Sequence, residues 1–430
     1  MIVTLSSFRP LLEEFLAARG DKVTAVVPDN VHARRESGNP GYTIRTIQRW
    51  DDYTALAGLA RELEPLGVTA IATLEEPCVR AAAFLRGLLG VPGQDFSSAV
   101  ACTDKSVMKR RLTKAGIPVA EHREVYSTQE IGECLDELGG DIVVKPRHGF
   151  GTLNTYRVNS PQRLEELISA GAFEPPRSLP TDFNASTIAQ QLGKVGYLVE
   201  RYIDVDVEYH CDLLLHEGAE VFCLASRYGQ PLLESSSRTI GSVLLDPESA
   251  EAGTVLELTR VAAAQLGVSE GFGHCEVLRD RSGQWWVGEF ASRPGGSMIP
   301  RMLQLHYGID TLALLAEQLT GRMPRVESVS HSGTLAWRAV PADAGVITDM
   351  TDEAQLRSLP GVVDVQVALR PGDFATGVLG TTSYAAFVFC TGDTPEQAEQ
   401  RAEAARNACS VTVTPSSPDG LSPIGKDGYR

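Results

Sequence analysis

The stretch GFGHCEVLRDRSGQWWVGEFASRPGG, residues 271–296, decides how the rest of the chain is read. Two apolar runs, GFGHCEVLRD and GQWWVGEFA, flank the turn RDRSG and have the character of antiparallel hairpin arms. Glu276 stands within the first arm and Glu289 within the second. Folded on that turn, both carboxylates reach one side of the hairpin. Adjacent carboxylates repel unless a cation sits between them. Oxygen-only ligands suit Mg²⁺, which takes one or two carboxylates together with substrate phosphates. Strand alternation places Glu289, Ala291 and Arg293 on one face if the strand persists, and turns Cys275 to the opposite face from the acids. Gly295 and Gly296 then leave room for backbone amides or a substrate to come close.

Working outward, DIVVKPRHGFGTLNTYRV (141–158) has the pattern strand, glycine-containing loop, strand. Lys145 stands at the strand mouth, and Gly149 and Gly151 let backbone N–H groups approach a phosphate. The Walker pattern GxxxxGK[ST] is absent. Lys105 heads a basic helix in DKSVMKRRLTKAGIPVA (104–120), ended by Gly116, with Pro118 opening the next strand. YLVERYI, VEYHCDLLL and EVFCLASRY are further strand runs. Glu200 ends the first of these, where a carboxylate and nearby backbone can read an adenine amino edge. Glu208 and Asp212 are further strand acids, and His210 and His274 have the character of packing histidines. Arg227 and Tyr228 end the third run, within reach of a substrate.

The first hundred residues alternate strand and helix signals: MIVTL, PLLEEFLAARG, KVTAVV, DYTALAGLARELEPLG, VTAIAT, PCVRAAAFLRGLLG. That rhythm implies a parallel sheet with helical crossovers, and SSFRP lacks the GxGxxG dinucleotide fingerprint. Residues 171–190 contain prolines without a clean period and form a loop or excursion. From about residue 325 the chain becomes strand-rich (SGTLAWRAVP, GVVDVQVAL, YAAFVFCTG) with a final helix PEQAEQRAEAARNA. There Trp337 belongs to the core, and Arg338 is a candidate pocket residue.

The 430 residues carry a formal charge of −16, which argues against a nucleic-acid partner. No apolar run is long enough to span a membrane, and MIVTLSSFRP lacks the features of a signal peptide. The eight cysteines are scattered without CxxC, so reduced thiols in a cytoplasmic protein are expected. No zinc pattern and no GxSxG elbow occurs.

The order of these motifs, from DKSVMKRRLTKAGIP through VVKPRHGFGT, LVERYI, EYHCD and HCEVL to GEFASRPGG, resembles the ATP-grasp superfamily over roughly residues 1–320. Within it the chain is most similar to carboxylate–amine ligases such as the bacterial L-amino acid (dipeptide) ligases. The resemblance implies a mixed α/β and α+β architecture: an N-terminal parallel α/β domain (1–102), a lid subdomain (103–197), a core subdomain (198–324), a strand-rich C-terminal lobe (325–412) and a flexible tail (413–430). It implies an ADP-forming ligase using ATP and Mg²⁺ or Mn²⁺, small-molecule carboxylate and amine substrates, and a homodimer. It assigns ATP phosphates to Lys105 and Lys145, under a loop from His148 through Gly149 and Gly151 to Thr152. Adenine falls to Glu200 and the Ile203 backbone, ribose to Glu208, the metal to Glu276 and Glu289, and the acyl phosphate to Arg293. The chain departs from the pattern at Ala291, where many members carry asparagine, so a third protein ligand is either missing or replaced by water or by Ser292. It departs again in ERYIDVDVE, which lacks the usual glycine and spaces Glu200 and Glu208 one residue wider. A thiol, carrier-protein or bicarbonate acceptor, or nucleotide binding without turnover, are the alternative functions.

Overall fold

The computed structural model describes residues 1–38, 40–174, 195–233, 240–326, 333–377 and 384–415. Most of the stretch expected to be a loop (171–190) and most of the tail fall outside them.

The N-terminal unit is a parallel sheet in the order β3-β2-β1-β4, built from β1 (Ile2–Leu5), β2 (Val23–Pro28), β3 (Thr43–Ile47) and β4 (Ala70–Ala72). β1, β2 and β4 are buried along their whole length, as parallel strands covered by helices on both faces must be, so they are continuous apolar runs. β3 has no such signature. It is a half-exposed edge strand, TIRTI, and its neighbour alone holds it extended. The order reverses between β1 and β4, so a crevice opens beyond their C-terminal ends. Ser6 and Phe8 after β1, and Leu74, Glu75 and Glu76 after β4, stand in that crevice.

A second sheet, β5-β8-β6-β7, comprises β5 (His122–Val125), β6 (Ile142–Pro146), β7 (Tyr156–Val158) and β8 (Tyr197–Arg201). Helices Thr128–Glu137 and Pro161–Ser169 cover one face through Ile131, Leu135, Leu164 and Leu167. β8 is hydrogen-bonded to both β5 and β6, so this subdomain runs through Arg201; a boundary before Leu198 would cut a strand out of its own sheet. Pro118 does not open β5, which begins only at His122.

The largest sheet has eight antiparallel strands in the order β13-β12-β9-β10-β11-β14-β18-β16. They are β9 (Val205–His216), β10 (Ala219–Tyr228), β11 (Gly241–Leu244), β12 (Gly271–Asp280), β13 (Trp285–Ala291), β14 (Thr334–Val340), β16 (Val362–Val367) and β18 (Ala386–Gly392). The expected core and C-terminal lobe therefore share one sheet, joined where β11 pairs with β14. β15 (Ala344–Met350), β17 (Phe374–Thr376) and β19 (Val411–Thr414) form a small separate sheet. Helix Ala250–Leu266, capped by Ser249 and closed by left-handed Gly267, packs on one face of the large sheet through Val255, Ala262 and Leu266. Helices Ile299–Tyr307 and Thr311–Leu319 pack on the other. Among the described residues no helix is long and apolar enough to cross a membrane.

Candidate active site

A cavity of about 860 Å³ lies between the N-terminal crevice, the lid sheet and the open face of the large sheet. On β12, Cys275 and Val277 face helix Ala250–Leu266, so His274 and Glu276 face the cavity. β12 and β13 form the expected hairpin, with Glu276 directly opposite Glu289. A bulge brings this about. Val277 pairs with Val287, and Gly288 is the extra residue. Without it, Glu289 would share the buried side of Val287; with it, alternation resets and Glu289 turns into the cavity. Burial and the neighbouring Glu289 carboxylate raise the Glu276 pKa. Burial also opposes ionisation of Glu289, but Lys105 and Lys145 outweigh it and hold that pKa below its ordinary value.

Lys105 is the first residue of helix Lys105–Lys114, whose N-terminus Asp104 caps by accepting from Ser106 and Val107 N–H. Its Nζ lies 2.9 Å from Glu289 Oε1 and donates to the Gly149 carbonyl at 2.7 Å. Lys145 on β6 lies 2.5 Å from Glu200 Oε2. Lys109, one turn beyond Lys105, reaches Glu200 Oε1 at 2.9 Å and donates to the Val287 carbonyl at 3.0 Å. Burial works against charge on all three groups, yet the two ammoniums draw the Glu200 pKa down to about 2. Burial lowers the Lys109 pKa, whereas Glu200 and Glu289 overcome burial and raise that of Lys145.

The loop after β6 lines the cavity from Gly149 to Leu153, with Gly151, Thr152 and Asn154 at positive φ. His148 does not line it. Its ring is buried between Arg80, at 3.1 and 3.3 Å, and the Asp104 carboxylate at 3.2 Å. Arg147 binds the same Asp104 at 2.5 Å and Glu124 at 2.5 Å. His148 is thus an anchor at the root of the loop. Beyond β8, Ile203 and Glu208 line the cavity, and Glu208 accepts the Leu232 N–H at 2.7 Å.

Arg293 stands beyond the end of β13, and its Nε donates to Glu76 Oε2 at 2.9 Å. Glu76 carries no local motif. Its signal was its place just past β4, at the point where the parallel sheet reverses order. Lys109 was signalled by helical spacing from Lys105, which puts both on one face. Asp212 accepts from His210 at 2.8 Å and His274 at 2.9 Å, and also from the Gly295 N–H at 3.1 Å. The three side chains have a metal-ligating composition, but both histidines direct Nδ1 at the one carboxylate, which braces the Arg293–Gly296 turn. Burial opposes the Asp212 charge, but the two histidines hold it well below the usual carboxylate range.

Several expectations change. Tyr228 lines the cavity and packs 4.7 Å from the His210 ring, but Arg227 does not: adjacent strand residues face opposite ways, and Arg227 binds Glu399 at 2.6 Å. Arg338 likewise turns to Glu399, at 3.1 Å, whereas Trp337 is both fully buried and part of the cavity wall. Ala291 faces the cavity and offers no ligand atom; Ser292 does not line it, and its buried hydroxyl lies near Cys102. Gly295 is required by its packing against Asp212, Ile299 and His274, while a Cβ at Gly296 would meet nothing within 4 Å.

Residues 338–414 match a family profile described as L-amino acid ligase C-terminal domain 2. The chain is 29% identical over 327 residues to an L-arginine-specific L-amino acid ligase of Bacillus subtilis, covering 75% of each. It is 26% identical over 246 residues to a D-alanine–D-alanine ligase of Pseudomonas putida, covering 54% of this chain and 70% of that one. An L-amino acid ligase crystal structure from Bacillus licheniformis superposes with a TM-score of 0.72 at 18% identity, covering 96% of this chain and 99% of that one.

Proposed function

We infer that the chain is an ATP-grasp carboxylate–amine ligase that couples ATP cleavage to amide-bond formation between two amino acids, or between an amino acid and a small carboxylic acid. In this reaction a substrate carboxylate takes the γ-phosphoryl group of ATP, giving an acyl phosphate and ADP. The amine of the second substrate then displaces phosphate.

The observation that carries the reading is the pairing of Glu276 with Glu289 beside Lys105 and Lys145, with Arg293 in the same cavity. Such chemistry asks for positioning and charge neutralisation rather than a protein nucleophile. The all-oxygen pair fits Mg²⁺, or Mn²⁺, since a cation between the facing carboxylates relieves their repulsion. When bound there, the ion supplies charge neutralisation to the transferring phosphates. Lys105 and Lys145 hold the phosphates, and the Gly149–Thr152 loop covers them and excludes water from a hydrolysable acyl phosphate. Glu200 and Ile203 border the adenine, and Glu208 the ribose. Arg293, aimed by Glu76, steadies the carboxyl as charge builds on amine attack. Eight free thiols are consistent with action in the cytoplasm.

ADP release with MgATP across amino acids offered singly and in pairs, with mass detection, tests this reading. A pair-dependent ADP signal with a product one water lighter than the pair supports it. Absence of ADP with every pair rejects it.

A further inference from the structure

We propose that one of the two amino acids carries a large apolar side chain, received by the end of the cavity that residues beyond 333 build. The inference rests on the ligase reading and specifies its substrate. Phe374 and Leu369, both partly exposed, face this end of the cavity, with Trp337, Tyr384, Phe387 and Ile299 buried behind them. Tyr384 and Phe387 meet edge to face with centroids 5.8 Å apart, and Trp337 is tilted against Phe387 at 6.0 Å. Trp337 is fully buried, and its indole N–H donates to Ser242 Oγ at 2.9 Å, so its side-chain polar atom is satisfied behind the wall.

Two charged groups border this end from the helical segment after Met298: Arg301 is ion-paired, and Asp310 serves as a helix cap through Oδ1. Arg301 binds Asp364 through Nε and Nη2 at 2.8 Å and Gln304 through Nη1 at 2.7 Å. Asp310 caps the next helix by accepting from Leu312 and Ala313 N–H at 3.0 Å. Across the cavity, Glu75 accepts from Ser7 and Phe8 N–H, Glu76 binds Arg293, and Glu13 bonds Ser6 beside Arg35. A lysine, arginine or acidic side chain placed at the aromatic end would be desolvated against carbon, which is unfavourable without a partner. An aromatic or branched aliphatic side chain meets surface of its own kind.

The experiment measures ADP release and product mass for all pairs of the common amino acids with MgATP. Every efficiently used pair is expected to contain Phe, Tyr, Trp, Leu, Ile, Met or Val. Phe374→Ala, at a partly exposed wall position, is expected to raise KM for that amino acid about tenfold and leave KM for ATP unchanged. Leu369→Ala, on a separate segment, is expected to act in the same direction and guards against a folding defect in the first variant. Best pairs made only of small, polar or charged residues, arginine included, overturn the proposal while leaving the ligase reading intact. So do two folded variants with unchanged KM. ADP release with no pair overturns both together, a distinguishable result.

Discussion

Arg293 Nε lies 2.9 Å from Glu76 Oε2, although 217 residues separate the two along the chain. The contact ties the crevice of the N-terminal parallel sheet to the turn that follows the acid pair. Glu76 is buried, and burial raises its pKa despite the attraction of Arg293, whose side chain is partly exposed. A guanidinium held in this way points where the protein dictates.

Glu76→Gln keeps the shape and removes the charge. We expect kcat to fall about 10- to 100-fold with KM for ATP little changed, since outer-shell partners typically have effects of that size. Steady-state ADP release checks it. An unchanged kcat would mean that Arg293 needs no orienting partner.

Glu289→Gln breaks the pair that faces Glu276. Turnover is expected to drop at least about 100-fold, and Mg²⁺ titration is expected to saturate at higher concentration. Wild-type rates with an unaltered Mg²⁺ dependence would remove the metal assignment.

Gly295→Ala and Gly296→Ala should behave oppositely. A Cβ at Gly295 would stand 2.5 Å from Asp212 Oδ1 and 2.8 Å from Ile299, inside a braced turn. Lower Tm and lost activity are expected for Gly295→Ala, and a near-wild-type Tm for Gly296→Ala. Equal melting temperatures would contradict the brace.

Glu200 is ionised between Lys109 and Lys145, its pKa drawn down to about 2. A depressed folded pKa contributes stability that is fully present above the unfolded value of about 4.3 and is lost as pH falls from there toward the folded pKa. The stability difference between the wild type and Glu200→Gln should therefore be flat at pH 5–7. Below about pH 4.3 it should shrink by up to about 1.4 kcal/mol per pH unit. Urea unfolding at a series of pH values measures it; a difference independent of pH down to pH 3 would show that the lysines do not hold this carboxylate.

Lys109→Met leaves Glu200 with one lysine and frees the Val287 carbonyl. Because the ammonium is buried, removing it should destabilise the fold by roughly 3 kcal/mol, as for other broken buried pairs. A thermal melt unchanged within a degree would refute that.

By itself the sequence determined the parallel N-terminal unit, the hairpin with its two acids, and the lysine-bearing strand and loop. These are local signals: buried parallel strands must be continuously apolar, and hairpin arms must alternate about a turn. β3, β15, β17 and β19 escaped because they are short or half exposed, and their pairing partners hold them extended. Only the tertiary structure decided which faces meet. The bulge at Gly288 turns Glu289 into the cavity. Parity on β10 admits Tyr228 and excludes Arg227. The crevice past β4 delivers Glu76 to Arg293, and Lys109 on its helix shares Glu200 with Lys145 on β6. Periodicity encodes an element and its two sides. The partner that each side finds depends on sheet order and long-range packing, which no window of neighbouring residues contains.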